Sequence, residues 1–249
     1  MTRSTAARTA RPGMRARILT VASVVIVMIA ILALSSTLAF GVDDLAAYRA
    51  LSTSLSGARL LAFARSAMLD YWREIPAVLD TAALPEWPGE PAGVYVSLVH
   101  GPETRACVGA PVPTRGTLAE TVRSLAFEVL RADRRRPPLR LEELDDVRVV
   151  ITFVRERETL ANPMLVDPRT EGLLIGSPRG HVAFLPGEAR TVRWALSEAK
   201  RVGILKGAGS DASYTRLAAV AIAEPQPPAP AALDRRFNSK SEEIPREHP

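Results

Sequence analysis

The sequence predicts an α+β domain, built on a largely antiparallel sheet with flanking helices and preceded by one transmembrane helix. Three observations carry that expectation. Short runs of strand character come in hairpin-like pairs joined by Gly and Pro, and amphipathic helical segments separate them. Ahead of both lies a run of 25 uncharged residues, Ile18 to Val42.

A bilayer core needs roughly 20 helical residues to cross it, so residues 18–42 suffice with some tilt. Arg3, Arg8, Arg11, Arg15 and Arg17 precede the run with no acidic residue among them, and Asp43 and Asp44 follow it. An excess of Arg marks the cytoplasmic side. Residues 1–17 are therefore expected as a basic cytoplasmic tail, 18–42 as a signal anchor in the lipid bilayer, and the rest as extracytoplasmic. The competing expectation is a secretory signal cleaved near Ala39, after Thr37-Leu38-Ala39, although the apolar stretch exceeds the usual length of about 7–15 residues. A buried core helix is the third reading.

Beyond the anchor, Asp43 to about Ile75 reads helical, with Pro76 as its stop; Leu60, Phe63, Ala64, Ala67, Met68, Tyr71 and Trp72 recur at helical spacing. Residues 43–59 are expected as a helical stalk. Asp80 to Pro91, with three prolines, reads as a loop. Val94–Val99 and Thr104–Val108 flank His100-Gly101-Pro102-Glu103 and form a hairpin. Thr117 to Arg131 is a helix whose Thr117 and Glu120 have capping-box spacing, stopped by Pro137-Pro138. Leu141–Leu144 is a helical turn feeding the strand Val147–Val154. Leu173–Ile175 and His181–Phe184 pair around the turn Ser177–Gly180, Thr191–Val202 is helical, and Arg216–Ile222 is the last strand. Residues 225–249, rich in Pro and charge, are expected to be a disordered tail.

Composition narrows the function classes. The net charge of +5 belongs to the amino-terminal arginines, because the chain after residue 17 carries 27 charges of each sign. A neutral domain lacks the surplus that a phosphate backbone requires, so no nucleic acid partner is expected. Cys107 is the single cysteine, which excludes an internal disulfide and a cysteine zinc site. The usage, rich in Ala and Arg and poor in Lys, suggests a high-GC bacterium.

The order of motifs resembles the AMMECR domain family over about residues 60–224. Its Leu-Arg-Gly-Cys-Ile-Gly piece corresponds to Thr104-Arg105-Ala106-Cys107-Val108-Gly109. Its Asp-Pro-Arg-Phe-x-Pro-Leu stretch and the following Glu-Glu-Leu correspond to Asp133 through Leu139 and Glu142-Glu143-Leu144. Val166-Asp167-Pro168-Arg169, Gly172–Ile175, Leu185-Pro186, Trp194 and Arg201–Ile204 follow in the family's order. The resemblance implies a curved antiparallel sheet and little settled chemistry. It also implies a possible protein partner, since such prokaryotic domains are associated with dioxygenase-like and radical-SAM proteins. Four positions depart from the pattern: Ala106 replaces a Gly, Arg134 and Arg136 replace Pro and Phe, and Ala199 replaces a late Cys.

Candidate chemistry centres on the strand bearing Arg105, Cys107 and Gly109. On an extended strand Arg105 and Cys107 share one face, which would permit a thiolate–guanidinium pair and a nucleophilic role. The alternative is a small buried hydrophobe, a common fate for a free cysteine. His181 and Pro186 are further binding candidates. His100, His181 and His248 have no metal-ligand spacing, so neither metal nor cofactor is expected. Gly203–Gly209 follows a helix and precedes a strand, the reverse of a phosphate cradle. Arg131 and Arg134–Arg136 read as a solvated run favourable to a helix C-terminus, or as an anion or lipid head-group site. The sequence thus predicts a single-pass bacterial membrane protein presenting an AMMECR-like binding or accessory module. A Cys107-dependent enzyme acting on a small or protein-bound substrate is the alternative.

Overall fold

The computed structural model describes residues 44–73, 81, 83–113, 116–206 and 211–226. The expected basic tail, the anchor at 18–42 and the Pro-rich tail beyond residue 226 lie outside the described residues. Among the described residues no helix is long and apolar enough to cross a membrane.

Six strands form one fully antiparallel sheet: β1 (Gly93–His100), β2 (Glu103–Ala110), β3 (Arg148–Thr159), β4 (Gly172–Ser177), β5 (Gly180–Phe184) and β6 (Ser213–Ala223). Their spatial order is β2-β1-β3-β6-β4-β5. The β1–β2 hairpin turns at Gly101, whose φ is 55°, and the β4–β5 hairpin closes on Gly180, φ 122°, positions that β-branched or bulky side chains rarely occupy. Strand β3 extends five residues beyond the expected Val154. Its polar end Arg155–Thr159 carries no apolar signal, and pairing with the start of β6 fixes it instead.

Helices α1 (Ala46–Leu51), α2 (Leu55–Arg73) and α3 (Leu118–Glu128) cover one face, and α4 (Val192–Arg201) covers that face at β4–β5. The alternation of the strands explains the arrangement: Val96, Leu98, Ile151, Phe153, Val220 and Ile222 point towards α2 and α3. Leu173, Ile175 and Phe184 meet Val192, Ala195 and Ala199 of α4. Thr117 caps α3 as expected, its side chain accepting from the Glu120 amide while Glu120 reaches back to the Thr117 amide.

The stalk expected at 43–59 is instead part of the domain where it is described. Leu45, Tyr48 and Leu51 are buried, and the Tyr48 ring lies 4.6 Å from that of Phe153. The single long helix is broken at Ser54, whose Oγ accepts the Gly57 amide at 3.0 Å. A Cβ on Gly57 would come within 2.1 Å of the Leu51 carbonyl oxygen, so the helix–turn–helix needs glycine there.

The opposite face is concave. Tyr95, Cys107, Val154, Ala183, Leu185 and Leu217 form one apolar cluster there. Cys107 belongs to β2 and Ala183 to β5, the two edges of the sheet. The sheet therefore curls until its edges approach, and the interior of the curl positions everything that follows.

Candidate functional site

The concave face is lined by the second set of alternating residues: Ser97 and Val99 from β1, Arg148, Val150 and Thr152 from β3, and Ala219, Ala221 and Ala223 from β6. Small side chains on three adjacent strands leave a groove of about 460 Å³. The Leu185–Glu188 loop, including Pro186, forms one wall. Thr152 and Ser97 are buried polar residues on its floor. Arg148 lines the end where β3 begins; its Nε is buried and has no hydrogen-bond partner.

A second, narrower cavity of about 140 Å³ follows the seam between β2 and β5, where Cys107, Gly109, Tyr95 and His181 meet. The exposed His181 stands at its rim. Gly109 is the register partner of Tyr95, and a Cβ there would lie 2.2 Å from the Val94 carbonyl oxygen and 2.6 Å from the Tyr95 ring. Glycine at 109 is thus what lets the Tyr95 ring lie across the strand. The Tyr95 hydroxyl is buried without a partner, and burial pushes its pKa upwards.

A buried ionic cluster clips the seam. The Arg135 guanidinium donates to Glu188 Oε1 at 2.5 Å and to Asp133 Oδ1 at 3.2 Å. Asp133 Oδ2 accepts the Cys107 amide of edge strand β2 at 2.8 Å, and Glu188 Oε2 accepts the Leu185 amide at 3.0 Å. The side chains of Asp133, Arg135 and Glu188 are 6%, 10% and 7% exposed. Burial alone would lower the Arg135 pKa, but the attraction of the Glu188 and Asp133 carboxylates outweighs it and holds the group protonated. The Arg135 guanidinium also sits 5.9 Å above the Phe184 ring. One member of the arginine run is therefore buried and structural, whereas Arg134 and Arg136 stay exposed and Arg131 lies 5.8 Å over the Tyr71 ring. Sequence spacing could not reveal this, because Glu188 is 53 residues from Arg135.

Cys107 lies inside this ring of groups. Burial first, then the nearby Glu188 carboxylate, pushes its thiol up to about 12; Arg135 and a hydrogen bond with Ser97 oppose the shift without reversing it. A thiolate is strongly disfavoured at neutral pH.

Arg105 does not pair with the cysteine. The register of β1 with β2 runs from Leu98↔Ala106 to Val99↔Thr104 and skips Arg105, a bulge that interrupts the alternation. Released from the inner face, the guanidinium donates to both oxygens of Glu143, at 2.8 and 3.1 Å, and to the carbonyls of Pro137 and Pro138. That bond and the Arg140 amide hold the Glu143 carboxyl below its usual range. The structure thus brings Cys107, Gly109 and His181 together, places Pro186 in the neighbouring groove, and turns Arg105 away. Sequence reasoning missed Arg148 and Tyr95. The available signal was a lone arginine within the apolar run Val147–Val154.

Comparison with known proteins supplies the family. The chain is 27% identical over 148 residues to a protein of Methanothermobacter thermautotrophicus, covering 57% of this chain and 77% of that one. It is 33% identical over 147 residues to a protein of Aeropyrum pernix, covering 55% and 62%. The fold is similar to the crystal structure of an uncharacterised protein from Pyrococcus horikoshii, with a TM-score of 0.54, 21% identity, and coverage of 71% of this chain and 95% of that one. The AMMECR1 family profile matches residues 61–220, the span that contains the seam, the ionic cluster and all of the groove's lining except Ala221 and Ala223, and the chain belongs to the AMMECR1 family.

Proposed function

We propose that this protein is a membrane-held binding or accessory module, with residues 18–42 as the anchor, the amino end in the cytoplasm of a bacterium and the AMMECR1 domain outside. The charge asymmetry around the apolar run supports the topology. The observation that carries the binding role is the groove of about 460 Å³ on the helix-free concave face, which falls in the size range of small-molecule pockets. The Cys107-dependent enzyme is the weaker reading, because a thiol pushed up to about 12 leaves almost no nucleophile at neutral pH.

Two measurements on the full chain test the proposal. Alkaline phosphatase fused after Pro249 is expected to be active in intact cells, with the fusion in the membrane fraction; an inactive fusion recovered in the soluble fraction overturns the topology. A thermal-shift screen of small polar and amphipathic compounds is expected to yield ligands that stabilise the wild type and not Ala221→Phe, in which an exposed floor position is filled. Ligands that stabilise both equally would place binding elsewhere.

A further inference from the structure

We propose that the groove takes a small organic carboxylate with a short apolar body, its head group on Arg148 and its body on the alanine floor; this rests on the binding-module reading above. Charge and shape point the same way. Arg148 stands in the groove with a buried Nε that meets no acceptor. The groove's carboxylate, Glu188, is already engaged, with one oxygen on Arg135 and the other on the Leu185 amide. It does not pair with Arg148, and the one net negative charge of the Asp133–Arg135–Glu188 cluster is held by the Cys107 and Leu185 amides at the seam. The lining therefore presents a guanidinium still open to a partner, the electrostatic condition for capturing an anion.

The kind of anion follows from guanidinium geometry and from the floor. A planar fork of N–H groups matches the two oxygens of a carboxylate. From Arg148 the floor continues through Val150 to Thr152 on β3, with Ala223 and Ala221 beside them on β6. Arg148 and Thr152 are four residues apart on one strand, a span of ~13 Å. Methyl and isopropyl groups along that path offer apolar contact and few hydrogen bonds. The Ser97 and Thr152 hydroxyls supply the polar points. A ligand that is charged at one end and apolar along its length satisfies the whole lining, whereas a polyanion would leave its second charge on alanine.

The experiment is calorimetry with the full chain in phosphatidylcholine nanodiscs, titrated with hexanoate, hexyl phosphate, hexanol and hexylamine, with empty nanodiscs as the control for partitioning. Hexanoate is expected to bind saturably and most tightly. Arg148→Gln should weaken it by about 10- to 100-fold, the range that charge-assisted bonds give, and Arg148→Lys, which keeps the charge and loses the fork, by less. Tighter binding of hexyl phosphate overturns the carboxylate assignment in favour of a phosphate. Equal binding of all four probes that is abolished by Ala221→Phe overturns the anion assignment and leaves the groove as a binding site. Failure of every probe to bind the wild type overturns the groove reading itself.

Discussion

Asp133 and Cys107 meet through the backbone: the Asp133 Oδ2 accepts the Cys107 amide at 2.8 Å, so a carboxylate stands where a seventh strand would otherwise pair with the edge of β2. The same carboxylate holds Arg135, and Arg135 holds Glu188 beyond β5. A curled sheet whose edges do not pair with each other is thereby closed by three charged side chains. An exposed edge invites association with another chain, and this clip removes that opportunity at Cys107.

Asp133→Ala strips the acceptor from an edge amide and one partner from a buried guanidinium. Breaking a buried pair in this way costs about 3–5 kcal/mol. The expected outcome is a urea midpoint lowered accordingly with the slope unchanged. Replacing Arg135 and Glu188 together, as Arg135→Met with Glu188→Leu, is expected to cost at least as much as Asp133→Ala, because it strands the buried Asp133 carboxylate with only the Cys107 amide and takes the acceptor from the Leu185 amide, whereas Asp133→Ala leaves Arg135 paired with Glu188. A double variant clearly more stable than Asp133→Ala would mean that packing, not charge pairing, closes the seam.

The raised Cys107 pKa has a consequence at alkaline pH. Its thiol moves from 9.0 to about 12 on folding, chiefly through burial. Below pH 9 both folded and unfolded chains keep the proton. Between 9 and about 12 the unfolded thiol ionises while the native one does not, so stability falls as the pH rises, by up to about 1.4 kcal/mol per pH unit from this group. Cys107→Ala lacks the term. Wild type minus variant stability should be flat below pH 9 and decline above it. A difference that stays level through pH 11 would show an exposed, ordinary thiol, as would rapid iodoacetamide labelling of folded protein at pH 7.

Most of the architecture is legible in the sequence because local chemistry dictates it. Thr117 and Glu120 announce the start of α3, Gly180 the β4–β5 turn, and Val147–Val154 the central strand. What is not legible depends on long-range events. The motif match alone sets Arg135 apart from Arg134 and Arg136, and no local signal shows that it meets Glu188 when the sheet curls. The face shared by Arg105 and Cys107 followed from ideal alternation, and a bulge of one residue breaks it. Ser54 marks the break between α1 and α2 only once Gly57 is seen to pack on the Leu51 carbonyl.

Gly109→Ala tests how tightly β1 and β2 are packed at the seam. The added methyl would sit 2.2 Å from the Val94 carbonyl oxygen and 2.6 Å from the Tyr95 Cα, backbone atoms that cannot rotate away. Overpacking of this kind costs about 1–3 kcal/mol. Gly101→Ala, in a turn with open space around it, is the comparison: its φ of 55° is strained for alanine, but nothing is displaced. Gly109→Ala should lower the melting temperature more than Gly101→Ala and should also broaden the amide resonances of β2. Equal shifts would mean that the hairpin yields at the seam.

Glu224 follows the last strand and ties it to the helical layer. Its carboxylate accepts from the Arg65 guanidinium of α2 and, at 2.7 Å, from the Val149 amide of β3. Arg65 in turn donates to the carbonyls of Leu144 and Val147, at 2.9 and 2.7 Å, which anchors the turn that feeds β3. Glu224→Ala removes the shared acceptor and leaves both a partly buried cation and an amide without it. The expected loss is about 2–4 kcal/mol, above that of a surface pair because two donors are orphaned together. Native-state hydrogen exchange locates the effect. The Val149 amide should exchange faster by at least the factor that the stability loss implies, while β4–β5 amides should change only through global unfolding. Unaltered protection at Val149 would mean that the β3–β6 ladder alone holds this end of the sheet.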